Sequence, residues 1–239
     1  MRATLFVTCL VDQLFPQVGE ATVSVLRRLG VEVEFPRAQT CCGQVAFSDG
    51  FWPEAQRLAR RLLPTFADVP DIVVPSGSCA AMLREFYPTL FRNQPWLAEQ
   101  TRRLVERTYE LSEFLVDVIG RDDVGAYFPH TVTYHASCHG LRGLRLREQP
   151  LRLLRQVRGL QLRPLEGLEE CCGFGGMFAV KFSSLSASML ETKLRAIEAT
   201  GAEVVTGTDV SCLMHIAGGL SRRRSPIRAM HLAELLAAQ

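Results

Sequence analysis

VEVEFPRAQTCCG, residues 31–43, runs from a short strand pattern through a loop into two adjacent cysteines and a glycine. LQLRPLEGLEECCG, residues 160–173, gives the same order of features about 130 positions later. Two neighbouring cysteines make a poor structural disulfide, because the ring that closes between them is strained. The duplicated Cys-Cys-Gly therefore indicates a role that the pair does not fill alone, and the other cysteines must be considered with it.

The chain has eight cysteines, and they form two matching sets of four. The intervals between successive cysteines are 32, 1 and 37 positions in the first set and 33, 1 and 40 in the second. No cysteine falls outside this scheme, so chance clustering of small core residues does not explain it. The pattern predicts a duplicated unit with one set in each copy: Cys9, Cys41, Cys42 and Cys79, then Cys138, Cys171, Cys172 and Cys212.

Each cysteine set follows short β-rich runs. TLFVTC (4–9) and TVTYHASC (131–138) end at a cysteine. DIVVPSGSC (71–79) and AEVVTGTDVSC (202–212) each give a buried strand pattern, a turn and then a cysteine that opens an apolar helical segment. Helical patterns lie between these strands, at 16–29, 52–66, 148–158 and 182–200.

Strands that alternate with helices are typical of βαβ units, in which a parallel sheet carries helices on its faces. We predict an α/β fold of two pseudo-symmetric repeats, each a parallel sheet flanked by helices, with the cysteines at the strand carboxyl ends. The first repeat spans 1–125, with a helical insertion at about 94–120 that packs across the junction, and the second spans 126–239. Ligands collect at the carboxyl ends of such strands, so each set of four cysteines is expected to converge there.

Composition and charge exclude several classes of protein. Of the 239 residues, 47% are hydrophobic and 22% charged, as in a globular chain. The net charge of +2 is too small to produce the positive electrostatic potential that attracts nucleic acid. No run of the sequence approaches the roughly 20 apolar residues that span a bilayer. The N-terminus lacks a signal-peptide pattern, so we expect a cytoplasmic protein. In a reducing compartment, eight cysteines favour metal or redox chemistry over structural disulfides.

Four converging thiolates suit zinc or an iron-sulfur cluster, since soft sulfur ligands select those centres. Adjacent cysteines strain a single zinc tetrahedron, whereas a cluster offers separate iron atoms, so the pairs favour iron and inorganic sulfide. Gly43 and Gly173 let the backbone behind each pair turn tightly and come near the sulfides. Two alternatives stay open: thiol-disulfide exchange at the pairs, which leaves the outer cysteines without a role, and a zinc-stabilised scaffold that docks partner subunits.

The repeated order of a cysteine, Cys-Cys-Gly and a cysteine-bearing turn resembles the cysteine-rich CCG domains of heterodisulfide reductase B subunits and glycolate oxidase iron-sulfur subunits. FPRAQTCCGQVAFSDG, YHASCHGLRGL and CCGFGGMFAVKFSSLSASM are similar to the iron-sulfur A subunits of lactate utilization systems. This resemblance implies an electron-transfer subunit of a complex that oxidises L-lactate to pyruvate, with a ferredoxin-type iron-sulfur subunit and a third small subunit as partners. It also implies that the eight cysteines bind [4Fe-4S] clusters in one or both repeats.

The chain departs from the heterodisulfide reductase pattern at the end of each repeat. In that family each repeat ends in CxxC and gives five cysteines to a noncubane [4Fe-4S] cluster, whereas Ser76 and Asp209 take the first of those positions here. Each repeat keeps four cysteines, so cubane and noncubane clusters are both open. The side-chain oxygens of Ser76 and Asp209 are either ligands or helix caps.

Three histidines lie beside the second set of cysteines. His135 and His139 flank Cys138, and His215 follows Cys212. Each either tunes a cluster through a hydrogen bond or a proton, or is packed at the mouth of the sheet. The remaining two, His130 and His231, are expected to be structural. No catalytic residue is assigned, because the sequence shows no set of nucleophile, base and orienting group.

Overall fold

Each half of the chain forms one four-stranded parallel sheet with its own helices. The computed structural model describes all 239 residues. In the first half, single π-helical turns lie at Met82–Phe86 and Phe114–Val118. The other elements of this half, in chain order, are β1 (Arg2–Leu5), α1 (Cys9–Leu14), α2 (Pro16–Arg28), β2 (Glu32–Glu34), α3 (Gln44–Ser48), α4 (Trp52–Thr65), β3 (Asp71–Val74), α5 (Gly77–Ala81), α6 (Tyr87–Phe91), α7 (Pro95–Val105), β4 (Thr108–Glu110) and α8 (Leu111–Glu113).

The second half repeats this alternation with fewer helices. A single π-helical turn, His139–Gly143, follows its first strand. The other elements are β5 (Thr131–His135), α9 (Gln149–Gln156), β6 (Gln161–Arg163), α10 (Phe178–Lys181), α11 (Ser183–Ala199), β7 (Val204–Gly207), α12 (Val210–Arg222), β8 (Arg228–His231) and α13 (Leu232–Ala237).

The two sheets have the same strand order. The first runs β2-β1-β3-β4 and the second β6-β5-β7-β8, with every neighbouring pair parallel. The registers correspond as well, since Ala3 pairs with Asp71 in the first sheet and Val132 with Val204 in the second. The predicted α/β fold of two parallel sheets, with cysteines near the strand ends, is confirmed.

The four helical patterns of the sequence correspond to α2, α4, α9 and α11, each within two residues at either end. Helix α2 shows why these patterns were readable. Pro16 starts it, where the missing N–H has no partner to lose, and Gly30 follows its end with a φ of 77° that glycine adopts freely. Between them Val18 and Val25 face the core. None of the helices combines the length and apolar character needed to cross a membrane.

The segment 94–120 is not the purely helical insertion that its apolar spacing predicted. It begins as α7 but then forms β4, the outer strand of the first sheet, before α8. This strand has three residues, and Thr108 and Glu110 are buried polar residues, so it lacks the apolar alternation that marks a strand. The sequence analysis also missed strand β8, RAMH, because its two apolar residues are adjacent and do not alternate with polar ones. The boundary near residue 125 stays a prediction.

The two sheets share one hydrophobic core. It extends from Leu26 of α2 to Val132 of β5 and Leu236 of α13. Helix α13 packs on α2, and the Arg28 guanidinium donates hydrogen bonds to the backbone carbonyls of Leu236 and Ala237 at 3.0 and 2.6 Å. The C-terminal helix therefore holds the second repeat against the first.

Candidate metal centre

The first set of cysteines lies beyond the carboxyl ends of three strands. Cys9 begins α1, Cys79 lies in α5, and Cys41 and Cys42 lie in the loop between β2 and α3. The sulfur of Cys9 is 3.7 Å from that of Cys41, and the sulfurs of Cys42 and Cys79 are 3.3 Å apart. All four are free thiols. Residues far apart in the sequence thus form one group of sulfur donors.

The second set repeats this arrangement at the second sheet. Cys138 precedes the π-helical turn after β5, Cys171 and Cys172 lie between β6 and α10, and Cys212 lies in α12. Cys138 and Cys172 each lie close enough to Cys171, and Cys172 close enough to Cys212, to shift one another's pKa values. The pairing is the same as in the first repeat, so the duplication extends to the contacts between the thiols.

A glycine in left-handed backbone conformation follows each cysteine pair. Gly43 has a φ of 85° and Gly173 a φ of 89°, a region that residues with a Cβ rarely adopt. Their N–H groups donate to the sulfurs of Cys41 and Cys171 at 3.4 and 3.3 Å. A Cβ on Gly173 would lie 2.6 Å from the carbonyl oxygen of Ser186. The missing side chain there makes room for α11, whereas the sequence argument had it face the sulfides.

Gln39 anchors the loop that carries the first cysteine pair. Its side-chain oxygen accepts a hydrogen bond from the N–H of Val7 at 2.8 Å. Its side-chain nitrogen donates to the carbonyls of Leu5 and Pro36 at 3.3 and 3.0 Å. The loop is thereby tied to the end of β1, next to Cys9. A single glutamine in a loop gives no signal, so sequence reasoning missed this residue.

Ser76 and Asp209 cap the helices that carry the last cysteine of each set. The Ser76 hydroxyl accepts a hydrogen bond from the N–H of Cys79 at 3.3 Å. One Asp209 carboxylate oxygen accepts from the N–H of Ser211 at 3.1 Å, and the other accepts from the N–H of Ser78 at 2.7 Å. The Asp209 carboxylate is therefore occupied by donors from both repeats. Of the two roles left open by the sequence, the structure shows the helix cap.

The N-termini of α5 and α12 meet at the junction of the two repeats. The N–H of Gly77 donates to the carbonyl of Thr208 at 3.0 Å. A Cβ on Gly77 would lie 2.8 Å from the Ser137 hydroxyl oxygen, so glycine permits this close approach. As a result, all eight cysteines line one cavity of about 230 Å³, to which both repeats contribute.

In each set the first cysteine of the pair ionises most readily. Hydrogen bonds from Cys42 and Cys9 lower the pKa of Cys41 to about 2, and the N–H of Gly43 acts in the same direction. The matching bonds lower the pKa of Cys171 to about 2. The pKa values of the cysteines that donate these bonds shift upward, because the bond to Cys41 raises the pKa of Cys9 and of Cys42. Each set therefore stabilises one thiolate through its own neighbours.

The CCG cysteine-rich domain family matches the chain twice, at residues 3–84 and 132–217, and the two matches include all eight cysteines. Lactate utilization protein A of Geobacillus thermodenitrificans is 49% identical over 236 residues, which cover 99% of this chain and 98% of that protein. The Bacillus subtilis protein of the same name is 47% identical over 236 residues, covering 99% of each. The chain belongs to the lactate utilization protein A family.

Solved structures add nothing to this assignment. An aspartate racemase homologue from Pyrococcus horikoshii aligns over 99% of this chain and 95% of its own, with a TM-score of 0.33 and 12% identity. That level of similarity carries no inference. The family membership rests on the cysteine-rich domain and on relatives that share nearly half of the sequence.

The donor set of this lactate utilization protein A family member fits a sulfur-ligated centre in each repeat. Four free thiols converge in each set, and all eight border the same cavity. Thiolates are the ligands of zinc and of iron-sulfur clusters, and one thiolate per set is already stabilised. The chemistry of the donors thus suits both centres that the sequence predicted.

His135 is the last residue of β5 and lies against the second set. Its side chain is 1% exposed, and neither ring nitrogen has a hydrogen-bond partner. The ligating atoms of His135, Cys172 and Cys212 all lie within 4.8 Å of one another. Burial, with a contribution from Lys193, lowers the pKa of His135 to about 4, so the ring is neutral at neutral pH.

Lys193 is a fully buried lysine of α11 that sequence reasoning missed. Its ammonium group donates to the carbonyl of Gly167 at 2.6 Å. Burial lowers the pKa of Lys193, whereas Glu170 and the nearby cysteines Cys172, Cys138 and Cys171 act in the opposite direction. A cation therefore lies close to the second set. The sequence did contain a sign of this burial, because Lys193 lies on the apolar face of the 182–200 helical pattern.

The other two candidate histidines take different positions. His139 lines the cavity, and its ring packs edge-on against Phe86 with the centroids 6.1 Å apart. The Nε2 atom of His215 is 3.3 Å from the Ser186 hydroxyl oxygen, and its ring lies 5.8 Å from that of Phe174. Only His139 reaches the cavity itself, while His215 contacts the helix that packs behind Gly173.

The two histidines that the sequence analysis assigned to structure have structural partners. His130 pairs with Glu203 on the surface at 3.1 Å. His231 caps α13, because its Nδ1 atom accepts a hydrogen bond from the N–H of Ala233 at 3.1 Å. Neither histidine lines the cavity. These contacts are of the structural kind that the sequence analysis expected for both residues.

Proposed function

We propose that the chain is an iron-sulfur electron-transfer subunit of a complex that oxidises L-lactate, or a related 2-hydroxy acid, to the keto acid. The observation that carries this proposal is the single cavity lined by eight free cysteines, four from each repeat. The relatives named for lactate utilization support the pathway, and the sulfur donors support the kind of centre.

In this proposal each repeat holds one [4Fe-4S] cluster. Such a cluster, when bound, accepts and releases single electrons, and its potential depends on charge, hydrogen bonds and burial. The chain supplies the sulfur ligands, donates the N–H groups of Gly43 and Gly173 to two of the sulfurs, and buries three ligands from water. The ligands are Cys9, Cys41, Cys42 and Cys79 for one cluster and Cys138, Cys171, Cys172 and Cys212 for the other.

An electron carrier of this kind works between partners. The sequence has no nicotinamide or flavin motif that would let the chain oxidise lactate by a hydride or two-electron step alone. We therefore assign it as partners a ferredoxin-type iron-sulfur subunit and a third small subunit. A cytoplasmic location belongs to the same proposal, because eight free thiols persist in a reducing compartment.

One observation favours a second candidate, a zinc-stabilised scaffold that docks the partner subunits. The sulfur pairs at 3.3 and 3.7 Å are close to the edge of about 3.8 Å in a tetrahedron whose Zn–S bonds are about 2.3 Å. A four-iron cluster holds its cysteine sulfurs farther apart, so the cysteine loops must open to admit it. Metal analysis separates the two candidates.

The deciding experiment is anaerobic purification and reconstitution, followed by iron, sulfide and zinc analysis and by EPR. We expect four iron and four sulfide atoms for each occupied repeat. Cys42→Ser should remove the first cluster and Cys172→Ser the second, while Ser78→Ala, which changes a cavity residue without sulfur, should retain both. Stoichiometric zinc without iron would establish the scaffold instead. Metal-free protein whose pairs cycle between dithiol and disulfide would establish thiol-disulfide exchange.

A further inference from the structure

The second set of cysteines has a buried imidazole beside it, and the first set does not. The matching outer cysteines, Cys9 and Cys138, are 129 positions apart, and the same offset places Phe6 opposite His135. Phe6 is fully buried and packs edge-on against Phe66 with the ring centroids 5.6 Å apart. The two repeats therefore differ at one buried position: an aromatic ring without a donor atom in one, and a histidine in the other.

Ordinary core packing does not account for the His135 ring. Buried polar side chains nearly always find at least one hydrogen-bond partner, and an unpaired one has an explanation. His231, the other fully buried histidine, accepts a hydrogen bond from the N–H of Ala233 at 3.1 Å. His135 is 1% exposed, and neither of its nitrogens has a partner. The ring thus has two unused nitrogen atoms inside the protein.

The potential metal-ligating atoms grouped with the His135 ring are cysteine sulfurs. A ring nitrogen of His135 and the sulfurs of Cys172 and Cys212 all lie within 4.8 Å of one another. A neutral imidazole presents one nitrogen as a lone-pair donor to a metal, and mixed imidazole and thiolate ligands occur at both zinc and iron-sulfur centres. Asp209, three positions before Cys212, is occupied by backbone N–H groups and does not compete for this role.

We propose that His135 is a nitrogen ligand of the centre in the second repeat, so that this centre has five protein donors and the first has four. The proposal rests on the proposed function for the presence of a cluster. The imidazole is a neutral donor, so its coordination adds no negative charge to the cysteine thiolates. The two centres then differ in ligand chemistry as well as in position, and each gives its own spectroscopic signature.

The test is pulsed EPR of the anaerobically reconstituted full chain, grown with ¹⁵N-histidine and with natural histidine. We expect a nitrogen coupling that changes with the isotope and is lost in His135→Phe, the variant that copies Phe6. His139→Phe and His215→Phe are the matched controls, and both should keep the coupling. His135→Cys offers a sulfur donor at the same position, so it should retain iron while losing the nitrogen coupling.

The outcomes separate this proposal from the proposed function. Iron and an EPR signal without any histidine coupling in the wild-type chain would overturn the assignment of His135 and leave the cluster standing. A nitrogen coupling that survives in His135→Phe or in His135→Cys would also overturn the assignment of His135 and leave the cluster standing. If His135→Phe does not fold, as judged by circular dichroism, the His135→Cys variant decides the question. A wild-type chain that takes up no iron overturns the proposed function itself, which metal analysis shows before any spectrum is recorded.

Discussion

The two repeats place the same four cysteines in different surroundings. Offsets of 129 to 133 residues, fixed by the matching cysteines and by the starts of α4 and α11, pair five positions beside the two sets. In the first repeat four of these positions are apolar and one is a serine, whereas in the second all five are polar or ionisable. The pairs are Phe6 and His135, Ala55 and Ser186, Leu62 and Lys193, Ser76 and Asp209, and Met82 and His215.

This difference distinguishes the residues that both centres share from the residues that would adjust the reduction potential of one centre. Both repeats have the cysteines, the glycine after the pair and a capped helix. Both sets adjoin an apolar core, the first through Cys42 and Cys79 and the second through Cys172, but the second also has the buried cation of Lys193 close by. Because positive charge near a cluster favours its reduced form, we expect the second centre to have the higher reduction potential.

The glycines after the two pairs give the largest expected contrast. Alanine at either position must adopt a positive φ, which costs about 1–2 kcal/mol. Gly43→Ala should lose about that much, because its Cβ would meet Ala55 at an ordinary 3.5 Å. Gly173→Ala should lose about 4 kcal/mol, because its Cβ would also lie 2.6 Å from a backbone carbonyl of α11 and force a shift. Urea unfolding of the two variants measures the difference.

Equal losses for the two alanine variants would contradict this account. That result would mean that α11 moves away from residue 173 without resistance, and that the strained backbone alone sets the free energy of unfolding. Gly218→Ala is a suitable control, since nothing lies within 4 Å of its added Cβ and its φ is not positive. It should leave the free energy of unfolding unchanged or raise it slightly, as expected for alanine in a helix.

The residues that cap α8 and α13 respond to pH with opposite signs. Burial raises the pKa of Glu110 to about 7, so the folded state binds the extra proton and stability falls as pH rises from about 4.5 to 7. Burial lowers the pKa of His231 to about 4, so the unfolded state binds the extra proton and stability falls as pH drops from about 6.5 to 4. Each full shift corresponds to about 3 kcal/mol.

Two variants measure these opposite contributions. Glu110→Gln should become more stable relative to the wild type as pH rises through 4.5–7, and His231→Asn should become more stable relative to it as pH falls through 6.5–4. Denaturant unfolding at several pH values, taken as the difference between variant and wild type, removes the contribution of the thiols. Differences that do not change with pH would show that neither group has a displaced pKa in the folded chain.

The sequence was sufficient for the features that repeat or that have a clear period. The helices α2 and α11, the two parallel sheets and the convergence of four cysteines in each repeat followed from apolar spacing and from the duplicated intervals, whereas the meeting of both sets at one cavity did not. Strand β4 did not, because Thr108 and Glu110 are buried by tertiary contacts and do not alternate with apolar residues. A short outer strand is defined by its neighbour in the sheet, and a single sequence does not reveal that neighbour.

The surroundings of the cysteines were predictable only in part. The sequence pointed to His135 because it lies three residues before Cys138, but its position within 4.8 Å of the ligating atoms of Cys172 and Cys212 depends on how the loop after β6 packs. Gln39 and Lys193 were missed, since each acts through a backbone carbonyl that is distant in sequence or unmarked by any motif. Sequence intervals identify the ligands, whereas the groups that tune them are set by packing.

The buried charge of Lys193 offers a smaller effect that sharpens the contrast between the repeats. Lys193→Leu copies Leu62 of the first repeat and removes the cation near Cys172 and Cys138. We expect the reduction potential of the second centre to fall by on the order of 60 mV, a tenfold change for one electron, while that of the first stays constant. Redox titration followed by EPR resolves the two centres.

The other lysine of the chain provides the control. Lys181 is half-exposed and pairs with Asp49 at 2.7 Å, so its charge is largely compensated and screened by water. Lys181→Leu should therefore shift neither potential appreciably. Equal shifts for the two variants would mean that the chain responds to net charge alone, and the buried position of Lys193 would lose its significance for the second centre.

The helix caps give the smallest expected effect and decide whether oxygen ligates either centre. Ser76→Ala should lower the free energy of unfolding by about 1 kcal/mol, the usual value of a lost cap. Asp209→Asn should lose a comparable amount, because the amide still caps α12 but no longer accepts from Ser78 with a charged oxygen. Both variants should keep the iron and sulfide content of the wild type, since a cap holds the helix and not the metal. A loss of iron from the second repeat alone in Asp209→Asn, with unfolding unchanged, would make Asp209 a ligand and would give the two repeats different oxygen chemistry as well as different nitrogen chemistry.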